Sequence, residues 1–399
     1  MLRYCSTCPG LSLRSKLRGM GELLAQVSGT ATVFGRDPEW VLSFDREGRL
    51  LTLVQGQELF KRALDSRVLR RRHREGRDGR RWELLGDCER REVFAVAREL
   101  AGLTAEAPDA PDTLRERLET EVLPWTADRL LAEEGRFLAA YRPIAILPPD
   151  RYLAVVLQAT EGCSWNRCTF CSFYQGRPFG LASPEDFQRH AAAVRGLLGR
   201  DLARRRSIFL ADGNALAVGN RRLLPLLAIA RESFPGQEIT GFVDVYSGSR
   251  HEPTDWRELA AQGLTQVYIG METGCDSLLR WVDKPGSRDE LTAFVQELKE
   301  AGLAVSLILM IGMGGGAWRE RHREESLATL AGLPLDRRDL LYLSPFVEEP
   351  ASAYVARRIV EGWEPLTAEE IESETAVWTA DLRARGLRVG RYDIREFVY

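Results

Sequence analysis

A chain of 399 residues is longer than one hydrophobic core usually supports, since single cores stop growing at about 250–300 residues, so two or three structural parts are expected. With 44% hydrophobic and 28% charged residues, the composition excludes a disordered or fibrous chain, and a formal charge of −3 supplies no global basic field for nucleic acid. No apolar run reaches the roughly 18–20 residues of a membrane span, and the opening MLRYCSTCPGLSLRSK lacks the apolar stretch of a leader, so no membrane association and a cytoplasmic location are expected.

Seven cysteines are too few and too unevenly placed for a disulfide framework, which leaves metal ligation or burial. Residues 1–148 read as an α+β accessory region. TATVFGRDPEWVLSFDREGRLLTLV predicts short strands joined by Asp-Pro and Asp-Arg-Glu-Gly turns, and REVFAVARELAGL predicts an amphipathic helix. After a Pro/Ala/Asp loop at 105–112, a helical stretch follows with a break at Pro124, because proline cannot continue the hydrogen-bond ladder. The segment ILPPDRY at 146–152 is a natural boundary.

From 153 onward, apolar strand-like runs alternate with helix-length amphipathic stretches, the pattern of βα units around a parallel sheet. Six strands are predicted at 153–160, 206–212, 238–247, 264–271, 303–311 and 338–346. The fold expected is α/β, a (β/α)6 partial TIM barrel spanning 149–346, preceded by the accessory region 1–148 and followed by a C-terminal helical extension at 347–399. In that extension Thr367 with Glu370 predicts a helix N-terminus with a capping box.

Directly after the first barrel strand comes Glu161-Gly-Cys163-Ser-Trp-Asn-Arg-Cys168-Thr-Phe-Cys171, three thiols within nine residues at the end of the strand where α/β barrels place their active sites. Three thiolates can wrap one face of an iron–sulfur cube and leave the fourth iron open to a cofactor or substrate. The other possibility is a zinc site completed by a histidine, for which His190 is available; on that reading the protein is a zinc-stabilised, RNA-associated binding module without radical chemistry.

The cysteine loop resembles that of the radical S-adenosylmethionine (SAM) superfamily, in which a C-x3-C-x2-C loop follows the first strand with an aromatic residue just before the last cysteine, the place of Phe170 here. Four residues, not three, separate Cys163 and Cys168, a spacing similar to that of the Elongator catalytic subunit. The resemblance implies a [4Fe–4S] cluster on Cys163, Cys168 and Cys171, with SAM chelating the open iron and reduced to release a 5′-deoxyadenosyl radical that acts on a substrate.

Further segments fall in the family's order. Asp212-Gly213-Asn214, after the second strand, stands where relatives hold the SAM ammonium, although Asp-Gly-Asn is also a common turn. Gly270-Met-Glu272-Thr-Gly274, after the fourth, resembles the G-x-E-[ST]-G segment of oxygen-independent coproporphyrinogen oxidases and methylthiotransferases. Glu272 is the residue carried over, able to accept from ribose hydroxyls or ammonium. An acid serving the following helix is the alternative.

Ser306 and Met313, on and after the fifth strand, fall in the segment that relatives pack against adenine. Lys284 reads as a solvated lysine, Cys88 as an ordinary thiol and Cys275 as a helix start, and Cys5 with Cys8 supplies too few ligands for a metal site. The implied partners are a small-molecule or other substrate entering near Tyr174, Tyr246 and the loop 346–349, and an electron donor such as flavodoxin or ferredoxin. The arginines of 67–82 make RNA a possible but not favoured partner, since such runs are usually solvated loops. No catalytic residue is assigned.

Overall fold

The computed structural model describes residues 22–36, 39–73 and 80–399; Cys5, Cys8, Arg74 and Arg77 lie outside them. The chain divides into two compact units, one of Met1–Pro143, Ala193–Arg205 and Arg395–Tyr399, the other of Ile144–Ala192 and Arg206–Ile394.

In the first unit seven strands pair in sequence order: β1 (Leu23–Val27), β2 (Thr32–Arg36), β3 (Trp40–Phe44), β4 (Leu50–Gln55), β5 (Glu58–Arg62), β6 (Val68–His73) and β7 (Arg80–Leu84). Every neighbouring pair is antiparallel, a meander with one apolar face. In β3, Trp40, Leu42 and Phe44 are buried while Val41 is exposed, the period of two that fixes register. Helix α1 (Asp87–Ala105) lays Val93, Phe94 and Leu100 into that core.

A short α2 (Asp112–Arg117) runs into a π turn, and α3 (Ala127–Ala140) restarts after Pro124 with Thr126 as its cap, the Thr126 oxygen accepting from the Arg129 N–H at 3.2 Å. The arginines of β6 lie on a strand rather than in a solvated loop. Arg70 and Arg72 share Glu58, and Arg71 lies over the Trp82 ring.

From Ile144 onward the chain runs through β8 (Val155–Gln158), the short antiparallel pair β9 (Thr160–Glu161) and β10 (Gly180–Leu181), α4 (Pro184–Leu198), β11 (Ser207–Ala211), α5 (Asn220–Ser233), β12 (Glu238–Val243), α6 (Val245–Gly248), α7 (Pro253–Ala261) and β13 (Leu264–Glu272). It continues through α8 (Asp276–Trp281), α9 (Arg288–Glu300), β14 (Ala304–Ile311), α10 (Gly315–Gly332), β15 (Leu340–Pro345), α11 (Ala353–Glu361), α12 (Ala368–Ala384) and β16 (Val389–Arg391).

Seven parallel strands form one sheet in the order β8-β11-β12-β13-β14-β15-β16, with β8 and β16 as its edges, the sheet of a partial barrel. Strands β8 and β11 are buried at every residue, as expected where both faces of a parallel sheet are covered. The six predicted strands are present. A seventh strand, β16, follows the helices of the C-terminal extension: three residues with a glycine at the centre carry too little pattern to read.

Helix α12 begins as expected. The Thr367 oxygen accepts from the Glu370 N–H at 3.2 Å, and the Glu370 carboxylate accepts from the Thr367 N–H at 2.9 Å. At the N-terminal end of the strands a closed polar network forms a floor. Tyr268 and Tyr342 hydroxyls donate to Asp150 at 2.6 and 2.7 Å, Arg151 donates to the Tyr268 oxygen at 2.6 Å and to Gln266, and Gln266 donates to the Ser306 hydroxyl at 2.6 Å.

Candidate active site

At the C-terminal end of the sheet, the loop after β9 carries Cys163, Cys168 and Cys171 as free, half-buried thiols. It is fastened on both sides. The Trp165 Nε1–H donates to the Asp283 carbonyl at 2.7 Å, the Thr169 N–H to the Val282 carbonyl at 2.9 Å, and the Tyr354 N–H to the Thr169 carbonyl at 3.1 Å. Burial pushes the Cys168 thiol up to about 12, against the pull of the Lys284 ammonium. Burial likewise raises Cys171, offset in part by a hydrogen bond from the Phe173 backbone. Thiols so placed need a metal charge to hold them as thiolates.

The donor set separates the two metal readings. His190 Nε2 accepts the Gln158 N–H at 2.9 Å and its ring lies 6.3 Å from that of Phe187. The lone pair that zinc would need is therefore committed to β8. Among the described residues no three His, Cys, Asp or Glu side chains converge where one ion could sit. An iron–sulfur cube makes no such demand, because each thiolate takes a different iron.

Around this loop the ends of β11, β12 and β13 contribute carboxylates and amides. Asp212 is buried, and its N–H donates to the Thr160 hydroxyl at 3.0 Å. Gly213 lies against Tyr174: a Cβ there would stand 2.4 Å from the ring. Tyr174 is itself buried, so it belongs to the packing under the loop and not to an entrance. Asn214 is tied into the protein. Its amide donates to Asp244, to Ser164 at 2.6 Å and to Ser247 at 3.1 Å, and its oxygen accepts the Asp244 N–H at 2.9 Å. It thus joins the cysteine loop to the end of β12.

Glu272 ends β13 at φ +59°, beside an irregularity in the pairing with β14. Its Oε1 accepts from Lys284 Nζ at 3.0 Å, and its Oε2 is buried without a hydrogen-bond partner. Lys284, expected in solvent, is 12% exposed. Burial works against its ammonium, but Glu272 and then Cys168 outweigh that and raise its pKa. A Cβ at Gly270 would lie 2.3 Å from Glu272 Oε1 and 3.1 Å from Lys284 Nζ, so glycine makes room for the pair.

Phe170 and Met313 meet in one apolar cluster with Cys275, Leu278 and Tyr354. Met313 is fully buried there, as is Cys275 at the start of α8. Ser306 is not brought to this end. Its partner on β13 is Tyr268, whereas Glu272 pairs with Leu309, which leaves Ser306 about 10 Å down the strand at the usual rise, in the floor network. Sequence reasoning missed His322. Its Nε2–H donates to the Met310 carbonyl at 3.0 Å while Nδ1 accepts from the Thr273 hydroxyl at 2.7 Å, linking the ends of β13 and β14. Burial pushes this imidazole down to about 4.

A sequence-family model described as the radical SAM superfamily matches residues 157–327, the stretch that holds the cysteine loop, Asp212–Asn214, Glu272 and His322. The chain carries a radical SAM domain. A domain of that class implies a [4Fe–4S] cluster together with SAM. The residues present fit both groups: three free thiols on one anchored loop with no histidine among the described residues completing a zinc site, and an orphaned carboxylate oxygen on Glu272 beside them.

No curated protein matches the chain. Among solved structures, coproporphyrinogen III oxidase from Escherichia coli, described as a radical SAM enzyme, is similar at 16% identity and a TM-score of 0.46 over 64% of this chain and 56% of that one. Methylornithine synthase gives 14% and 0.42 over 71% and 73%. The archaeal Methanocaldococcus infernus Elp3 gives 15% and 0.39 over 52% of each. The chain thus spans little more than half the length of the coproporphyrinogen oxidase, and 31% of a cobalamin-dependent SAM radical enzyme, OxsB. Among the described residues no helix is long and apolar enough to cross a membrane.

Proposed function

We propose that the enzyme cleaves SAM reductively at a [4Fe–4S] cluster ligated by Cys163, Cys168 and Cys171, and turns the product on a substrate bound at the same end of the barrel. The observation that carries this reading is the anchored loop of three free thiols beside a buried carboxylate with one oxygen unused. When bound, the cluster supplies the electron that breaks the S–C5′ bond and so delivers a 5′-deoxyadenosyl radical.

The chain's own residues bind, orient and exclude water. Glu272 offers Oε2 to the SAM ammonium or ribose hydroxyls while Lys284 fixes Oε1. Asp212 adds a second buried carboxylate, and Gly213 brings backbone close without a side chain. Asn214 positions more than it binds, since its amide and oxygen hold Ser164 and Asp244. Phe170 and Met313 supply an apolar wall, which keeps water from a reactive intermediate. Ser306 belongs to the floor of the sheet and takes no part in this assignment.

A substrate would reach the site past Tyr246, which is exposed, and the loop Phe346–Glu349, and an external donor of the flavodoxin or ferredoxin type would supply the electron. Residues 149–346 form the catalytic core on this reading, with 1–148 as accessory region and 347–399 as extension. Cys168→Ala is expected to lose cluster iron and all 5′-deoxyadenosine formation while keeping the wild-type circular dichroism spectrum. Retained SAM cleavage in the cluster-free variant overturns the proposal.

A further inference from the structure

Lys284 is one of four lysines in a chain that otherwise uses arginine. Its Nζ lies over Gly270, 3.0 Å from Glu272 Oε1, with the Lys284 and Glu272 side chains 12% and 7% exposed. The backbone leading into it is bonded to the cysteine loop at two points that bracket Cys168. Val282 accepts from Thr169 and Asp283 from the Trp165 indole, and the Lys284 N–H donates to Leu279 at 2.9 Å. A lysine placed only to neutralise Glu272 needs no such fastening to the ligand loop.

In a site shielded from water a single charge acts strongly on its neighbours. Reduction of a thiolate-ligated cluster adds one negative charge next to Cys168, forms no bond and moves no proton; the electron comes from an external low-potential reductant. An ammonium held beside that thiolate stabilises the reduced form. Glu272 tempers the effect while its Oε1 is engaged, and its free Oε2 leaves the balance open to a cationic ligand group.

We propose that Lys284 is a positioning and electrostatic residue that sets how easily the cluster is reduced: its ammonium, fixed by Glu272 and clamped to the Cys168 loop, favours the added electron. This rests on the cluster reading given above. It assigns Lys284 a role in the redox step and not in holding the fold.

The test is an EPR-monitored redox titration with dithionite of reconstituted, SAM-free protein, with iron and sulfide counted for each sample. Lys284→Met is expected to cut the reduced-to-oxidised ratio at a fixed potential at least tenfold, a 59 mV negative displacement of a one-electron couple. Glu272→Gln, which leaves the ammonium uncompensated, is expected to displace it in the positive direction, and Lys284→Arg to stay on the wild-type side of Lys284→Met.

Should Lys284→Met fail to hold iron, a positive displacement in Glu272→Gln still supports the inference. Midpoints of Lys284→Met and Glu272→Gln within threefold of wild type in that ratio, at full iron content, overturn it. So does iron loss in Lys284→Met with an unmoved midpoint in Glu272→Gln, which makes Lys284 a structural strut. A wild-type protein that takes up no cluster overturns the proposed function itself, an outcome distinct from either of these.

Discussion

Replacing His322 with glutamine removes a buried imidazole held neutral between the ends of β13 and β14, and with it a pH dependence of stability that can be worked out. Burial carries this group from its ordinary 6.5 down to about 4, against the favourable hydrogen bond to the Met310 carbonyl. As pH falls the unfolded chain takes the proton first, so the stabilisation is complete above pH 6.5 and is lost as pH drops through about 4. The gap is worth about 3 kcal/mol at 1.36 kcal/mol per pH unit, of which about 2 kcal/mol is gone by pH 5.0.

Glutamine cannot titrate in this range. Urea unfolding of the full chain at pH 7.5 and 5.0 is therefore expected to show wild type losing about 2 kcal/mol more than His322→Gln between the two pH values. At pH 7.5 the variant starts lower by roughly 1–3 kcal/mol, because Thr273 and Met310 lose their partner. The Trp378 ring, 5.1 Å from that of His322, makes indole fluorescence a suitable probe. Equal losses in the two proteins would refute a neutral, buried His322.

Two further substitutions probe the site and the first unit. Gly270→Ala drives a methyl toward Glu272 Oε1 and Lys284 Nζ, an overpacking of about 1–3 kcal/mol; calorimetric SAM affinity of the reconstituted protein is expected to fall about tenfold with the iron content intact, and unchanged affinity would contradict the role given to Glu272. Arg49, buried and bonded to Asp45 at 2.7 Å and Glu133 at 3.0 Å, leaves the buried Asp45 carboxylate without its cation when changed to Met and Glu133 with Arg136 alone, so Arg49→Met is expected to cost about 3–5 kcal/mol in urea unfolding.

What could be read in the sequence follows the range of the interactions. The six strands from Leu153 to Phe346 and the Thr367 cap are local patterns, and the cysteine loop is a contiguous motif, so each was legible residue by residue. Glu272 was legible through its neighbours Gly270 and Gly274. Lys284 was not, because nothing near it in sequence announces burial: its partner is twelve residues away and the clamp comes from Trp165 and Thr169. His322 is held by Thr273 and Met310 through the same kind of distant pairing.

Ser306 shows the opposite failure. Its strand was assigned correctly, but position along a strand decides which end of the barrel a side chain serves, and register is set by the partner strand. Strand β16 is three residues long and gains its identity only by pairing with β15.

The most direct test of the central claim is anaerobic. The full chain is reconstituted with iron and sulfide, reduced, examined by low-temperature EPR before and after adding SAM, and assayed for 5′-deoxyadenosine. The account requires about four irons per chain, a cluster signal that changes on SAM addition, and deoxyadenosine that disappears in Cys168→Ala. Near-stoichiometric zinc with no cluster signal and no deoxyadenosine would contradict it.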